Sequence, residues 1–243
     1  MSKKIILVTG ANNGLGFETA KAVAKEGHTL IMACRNMEKA KAAKEKIIKE
    51  CAHDDITLFQ VDLASFTSIR SFCKEITQKI PKIDVLLNNA GVFTMKKGLK
   101  TEDGLELTMG VNYFGTFLLT RLLVPILRAS KSPRVINISS DSYKMAKLDI
   151  DRIETRKTHS IKAYSTSKLA VMMFTREFAV RNKDISIFAI CPGHVSTGIW
   201  EFKSWYGFIP KFFSSLSMVS PEEGARPIIH LVLSDEVDAN SGD

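Results

Sequence analysis

The sequence predicts a doubly wound α/β fold, a parallel sheet covered by helices on both faces. Short apolar runs alternate with helical stretches along nearly the whole chain. The strand runs are apolar throughout rather than alternating with polar residues, as suits strands buried on both sides. The chain has 243 residues, 45% hydrophobic and 25% charged, a length and balance that fit a single domain over residues 1–243 with a sizeable core. In this architecture ligands gather beyond the carboxyl ends of the strands, so the loops that follow strands are where chemistry is expected.

The elements follow in order. Ile5 to Val8 is a strand ended by Thr9-Gly10, and Phe17 to Ala24 carries alanines and apolar residues at helical spacing. Gly27 closes that helix, Thr29 to Ala33 forms a second strand, and Asn36 opens an Ala/Lys/Glu stretch to Glu50 that is helical by composition. Thr57 to Val61, Asp84 to Leu87, Val135 to Ile138 and Ile185 to Ile190 read as strands. Between and after them Ser65 to Gln78, Glu106 to Ala129 and Ala163 to Val180 read as helices, and Pro221 opens a last helix to about Leu233.

Composition excludes several classes. The 34 Lys and Arg exceed the 26 Asp and Glu to give a net charge of +8, which raises an anionic partner. No RNP, zinc-finger or helix-turn-helix signature accompanies it, so no specific nucleic-acid partner is expected. Cys34, Cys51, Cys73 and Cys191 form no CxxC pair, and His28, His53, His159 and His230 are scattered, so no metal is expected. The cysteines point to a reducing compartment, cytoplasmic or peripherally membrane-associated, and the lone His194 reads as packing or substrate lining rather than as an acid/base. Ile5 to Val8 is too short for a signal peptide or membrane span, and no later segment is read as long enough.

The loop after the first strand reads Thr9-Gly10-Ala11-Asn12-Asn13-Gly14-Leu15-Gly16. Its glycines allow a tight turn and close approach of backbone to a pyrophosphate at a helix N-terminus, where free N–H groups and the dipole favour an anion. A glycine-rich turn alone is weak evidence, and no Gly-Lys-Ser/Thr follows to make a Walker loop. The second strand ends in Ala33-Cys34-Arg35-Asn36, with no Asp or Glu from Leu30 to Met37. An acid there would hold a ribose 2′-hydroxyl, whereas Arg35, with Lys39 a turn further on, suits a 2′-phosphate and predicts NADP rather than NAD. The plainer reading of Arg35 is a solvated helix start.

These segments, with Asn88-Asn89-Ala90-Gly91, Asn112, Ser140 and a Tyr164-x-x-x-Lys168 spacing, resemble a short-chain dehydrogenase/reductase over nearly the whole chain. Ala33-Cys34-Arg35, Thr101 to Asn112 and Lys168-Leu169-Ala170 look most like the retinol dehydrogenase and WW-domain oxidoreductase branch. The resemblance implies a Rossmann-type fold, NADP(H) as cofactor, and catalysis by Asn112, Ser140, Tyr164 and Lys168. It further implies cofactor contacts at Gly10, Asn12, Asn13, Gly14, Leu15, Gly16, Arg35, Asn36, Asp62, Leu63, Asn88, Ala90 and Gly91. Tyr164, Lys168, Pro192, Gly193, Val195 and Thr197 complete that set. Tyr164 and Lys168, four apart on one helix, share a face. A phenol has a pKa of about 10, and a neighbouring ammonium and an oxidised nicotinamide would both favour its phenolate. Tyr164 is therefore the expected general acid in carbonyl reduction and base in alcohol oxidation, with Ser140 donating to the substrate oxygen. By resemblance Asn112 ties a water chain to Lys168.

After Thr197 the chain is rich in aromatic residues from Gly198 to Phe213, including Trp200 and Trp205. A substrate-covering segment over about 198–219 is expected, favouring a bulky apolar carbonyl or alcohol such as a retinoid, steroid or lipid aldehyde. Contact with a membrane surface and burial against the domain or a partner subunit remain open alternatives. Lys144, Lys147, Arg152, Arg156 and Lys157 make the segment before Tyr164 basic, and a homodimer through the helices Glu106 to Ala129 and Ala163 to Val180 is compatible with the pattern. Relatives continue into a last strand where this chain reads Ser241-Gly242-Asp243, which leaves that strand short. The expected activity is oxidoreduction of a lipophilic carbonyl. The rival is a dinucleotide-bound regulator or scaffold with little turnover. A serine hydrolase is rejected, because Gly193-His194-Val195-Ser196 places one residue too many before the serine of a G-x-S-x-G elbow.

Overall fold

The computed structural model describes residues 2–147, 160–193, 219–235, 237 and 241–242. Six strands form one parallel sheet in the order β3-β2-β1-β4-β5-β6. They are β1 Ile5–Thr9, β2 Thr29–Cys34, β3 Ile56–Gln60, β4 Val85–Asn88, β5 Arg134–Ile138 and β6 Ser186–Ile190. The helices are α1 Gly14–Lys25, α2 Met37–Cys51, α3 Phe66–Lys79, α4 Leu107–Arg128, α5 Ser160–Arg181 and α6 Pro221–Leu233. The strand order reverses between β1 and β4, the place where such sheets open a crevice for a ligand.

The period-2 pleat divides the apolar residues between two cores. Ile6, Val8, Leu30 and Met32 face one side and pack with Leu15, Ala20 and Val23 of α1, Ile47 of α2 and Ile228 of α6. Leu7, Ile31 and Leu86 face the other, against Ile69 and Phe72 of α3, Leu119 and Leu123 of α4, and Phe174 and Phe178 of α5. Helix starts are fixed locally. The Asn36 side chain accepts from the Lys39 amide, Ser65 from Ser68, and Ser220 closes a reciprocal capping box with Glu223.

Two features depart from expectation. The helix predicted from Glu106 to Ala129 is interrupted by a π-turn over Gly110–Gly115. The spacing of apolar residues does not register it, because a one-residue bulge leaves a helical pattern nearly intact. The same helix, α4, is also long and apolar enough to cross a membrane, with mean hydropathy 1.4, contrary to the reading that no later segment has that length. Most of its apolar window is buried in the protein, packed against α3 and α5, which accounts for the composition without a bilayer. Beyond β6, the Gly242 amide donates to Ile187 O and the Ile187 amide to Ser241 Oγ, so the chain returns to the free edge of the sheet.

Candidate active site

At the carboxyl ends of the strands lies a cleft of about 910 Å³ that runs from Arg35 and Lys39 past the β1–α1 loop to Ser140, Tyr164 and Lys168. Its size lies at the upper end of small-molecule pockets, about 300–1,000 Å³. Gly10, Asn12, Asn13, Gly14, Leu15, Arg35, Asn36, Asp62, Leu63, Ala90, Gly91, Pro192 and Gly193 all line it.

The β1–α1 loop is shaped by the β4 loop opposite. The Thr9 hydroxyl accepts from the Asn89 and Ala90 amides, each at 3.0 Å. The Asn89 side chain donates to Thr9 O at 2.9 Å and Gly10 O at 3.3 Å. Gly10 has φ +65°, and a Cβ there would press on Ala90. A Cβ on Gly16 would collide with the Asn89 amide and Gly10 O, so this glycine is required by loop-to-loop packing and does not itself line the cleft. Asn89 was not among the expected site residues. The signal for it was the second of two Asn residues directly after a strand.

Asn88, expected at the cofactor, points elsewhere. Its side chain donates to Thr120 Oγ1 at 2.9 Å and Asn137 Oδ1 at 2.8 Å inside the core, and it does not line the cleft. The cause is the pleat, which sends successive side chains to opposite faces. Asn13 and Asn36 line the cleft while capping α1 and α2, and the Asp62 carboxylate accepts from the Ala64 amide at 2.9 Å. The first turn of α1 carries no acidic residue, and Arg35 and Lys39 stand at the end of the cleft nearest β2. This donor set fits an anionic dinucleotide with a 2′-phosphate.

At the other end, Ser140, Tyr164 and Lys168 line the cleft together, and the Ser140 hydroxyl stands close enough to the Tyr164 phenol to favour its charged form. Lys168 lies 5.5 Å from the centre of the Tyr164 ring, and its Nζ donates to Ile138 O at 2.8 Å. Ser139 turns inward, its hydroxyl donating to Lys168 O at 3.3 Å, so Ser140 is the member of the pair placed against Tyr164. Burial pushes the Tyr164 phenol above its ordinary pKa, and the Ser140 hydroxyl beside it pulls it back only in part. Burial likewise disfavours the charge on Lys168, lowering its pKa from 10.5 to about 8, with Cys191 opposing the shift only in part.

Asn112 sits in the π-turn, buried at 3% exposure, and does not line the cleft. Its Oδ1 accepts from the Val92 amide at 2.7 Å, and its Nδ2 donates to Val92 O at 3.0 Å and Ser167 Oγ at 3.2 Å. Val195, Thr197, His194, residues 198–218, Arg152, Arg156 and Lys157 lie outside the described residues. Lys144 is paired with Asp141 at 2.9 Å. Among the described residues no cluster of metal ligands occurs.

Comparison with known proteins agrees with this architecture. The sequence matches the short chain dehydrogenase family over residues 4–205. Human retinol dehydrogenase 13 is 38% identical over 251 residues, covering 98% of this chain and 75% of the relative. Human retinol dehydrogenase 14 is 36% identical, covering 100% and 77%. A short chain dehydrogenase from Shigella flexneri, solved in complex with NADP, superposes with a TM-score of 0.77 at 23% identity, covering 100% of this chain and 95% of that one. The reversed strand order, the glycine loop facing Asn89 and the Ser140–Tyr164–Lys168 group thus sit in a chain that belongs to the short-chain dehydrogenase family, in the branch of the retinol dehydrogenases.

Proposed function

We propose that this protein transfers hydride between NADP(H) and a lipophilic carbonyl or alcohol of retinoid, steroid or lipid-aldehyde type. The observation that carries the reading is that Ser140, Tyr164 and Lys168 line one end of a cleft whose far end holds Arg35. NADPH, when bound, supplies a hydride to the carbonyl carbon. Tyr164 then gives its phenolic proton to the carbonyl oxygen, forming the alcohol, and is reprotonated from solvent. Ser140 donates a hydrogen bond to that oxygen as negative charge develops on it, a contribution worth about 10²–10³ in rate for one such donor. A phenol held neutral by burial is in the correct state to act as the acid. Lys168 stabilises the phenolate left behind and, by family resemblance, holds the nicotinamide ribose. By the same resemblance Gly10, Asn12, Gly14 and Leu15 would cradle the pyrophosphate, Asp62 and Leu63 would lie beside the adenine, and Val195 and Thr197 would hold the carboxamide and pyrophosphate.

The finer expectations belong to the same reading. The single domain includes a substrate-covering segment at 198–219, with peripheral attachment to a membrane that delivers an apolar substrate. Exposed Phe117 on α4 and Met173 on α5 support a homodimer through those helices, which size-exclusion chromatography tests.

The deciding experiment incubates the protein with NADPH and a panel of retinoid, steroid and aliphatic aldehydes. Turnover that Tyr164→Phe abolishes, with NADPH affinity retained, is the expected result. Tight NADPH binding without turnover on any substrate would favour the regulatory scaffold.

A further inference from the structure

We infer that Phe93 is a positioning and specificity-determining residue, whose ring sets the plane of the Tyr164 phenol and forms the wall along which a flat, conjugated substrate lies. The inference rests on the oxidoreductase reading above. The Phe93 and Tyr164 ring centres are 5.6 Å apart at 86°, an edge-to-face pair. Such pairs have a preferred geometry set by the ring quadrupoles, so the contact restricts the Tyr164 ring rather than merely filling space beside it. Phe93 is half-buried and lines the same cleft as Ser140, Tyr164 and Lys168.

Both members of the pair are tied to one side chain. Asn112 holds the backbone of Val92, directly before Phe93, through two hydrogen bonds of 2.7 and 3.0 Å. The same Asn112 amide donates to Ser167 Oγ at 3.2 Å, and Ser167 Oγ donates to Tyr164 O at 2.7 Å. The π-turn that carries Asn112 therefore fixes the Phe93 side and the Tyr164 side of the aromatic contact together. Proton transfer requires the phenol oxygen within hydrogen-bond reach of the substrate oxygen, and small angular errors in reacting groups are costly. An aliphatic side chain at 93 would keep the apolar volume but lose the directional contact. A conjugated substrate would lose an aromatic wall that a saturated one does not need.

The experiment compares wild type with Phe93→Leu and with Phe93→Tyr, which retains the ring. Phe93→Met is measured beside them in case the leucine variant is unstable. The probes are all-trans-retinal and decanal, each with NADPH, reading kcat and KM separately, together with NADPH affinity by fluorescence titration. Phe93→Leu and Phe93→Met are expected to lower kcat on both aldehydes by about 2- to 10-fold, the range of one aromatic pair. They are also expected to reduce the retinal-to-decanal ratio of kcat/KM further, with NADPH affinity unchanged and with Phe93→Tyr close to wild type. Unchanged kcat and an unchanged ratio in the leucine and methionine variants would overturn the inference while leaving the oxidoreductase reading intact. An equal loss of NADPH affinity and activity in these variants would overturn it too, as it marks a purely structural role. Wild-type protein that binds NADPH yet reduces neither aldehyde overturns both.

Discussion

The side-chain amide of Asn89 occupies the space that a Cβ on Gly16 would need, and from there it holds the carbonyls of Thr9 and Gly10. The proposed pyrophosphate loop is thus shaped from outside itself, by a residue more than 70 positions later in the chain. Gly16→Ala is expected to displace this contact and weaken NADPH binding by at least about tenfold, the equivalent of one to two lost hydrogen bonds. Asn89→Ala should cost a similar amount. The double variant should cost less than the sum, because the two residues share one contact. Fluorescence titration of all three variants measures this, and strict additivity would contradict the coupling.

Arg35 and Lys39 stand where the proposed adenosine 2′-phosphate would lie, and no acid occupies that end of β2. Arg35→Asp is expected to lower NADPH affinity by about 10- to 100-fold, the worth of a charge-assisted hydrogen bond, and to leave NADH affinity equal or improved. Parallel titrations with the two cofactors give the ratio, and a ratio that does not move removes Arg35 from the site.

Lys168 is buried at 5% exposure, with its pKa lowered by burial from 10.5 to about 8. The unfolded chain therefore binds this proton more readily than the folded one. The resulting destabilisation is fully present below about pH 8 and is relieved as pH rises from there toward 10.5. A shift of this size corresponds to about 3 kcal/mol. Lys168→Met forfeits the bond to Ile138 O but buries no charge, so a net gain of roughly 1–2 kcal/mol at pH 7 is expected, with activity lost. Thermal unfolding at pH 7 and pH 10 tests the sign, since the advantage of methionine should shrink at the higher pH.

Asp84 shows the opposite linkage. Burial alone would raise its carboxyl, but hydrogen bonds from Lys82 Nζ, Ser130 Oγ and the Ile5 amide hold it below its ordinary 3.8. Its contribution is present above the unfolded value and is lost as pH falls through the lower folded value. Asp84→Asn is expected to destabilise the protein by about 1–3 kcal/mol at pH 7 and to flatten the acid limb of its stability profile. Urea unfolding between pH 2.5 and 7 reads both effects, and an unchanged acid limb would show that another carboxylate governs it.

Much of the fold was legible because burial on both faces makes a parallel strand apolar at every position. Ile5 to Val8 and Thr29 to Ala33 needed no tertiary information to be recognised. Helix starts at Asn36 and Ser65 were equally local, since a cap is a hydrogen bond to an amide two or three residues away, and Pro221 marked the last one. The candidate site was legible in its residue types and order, but less so in its orientations. Asn88 and Asn89 are chemically identical neighbours, and only the pleat at the end of β4 decides that one enters the core while the other braces the loop.

The sequence alone determined the alternation of strand and helix, the glycines after β1, the absence of an acid after β2 and the helical spacing of Tyr164 and Lys168. Each of these depends on residues within a few positions of one another. The tertiary structure decided that Ser139 turns inward to Lys168 O, that burial raises the phenol and lowers Lys168, and that Asn112 links Val92 to Ser167. These are relationships between elements distant in the chain, and they depend on desolvation and on side-chain direction. Neither quantity exists until the sheet and its helices close around the site.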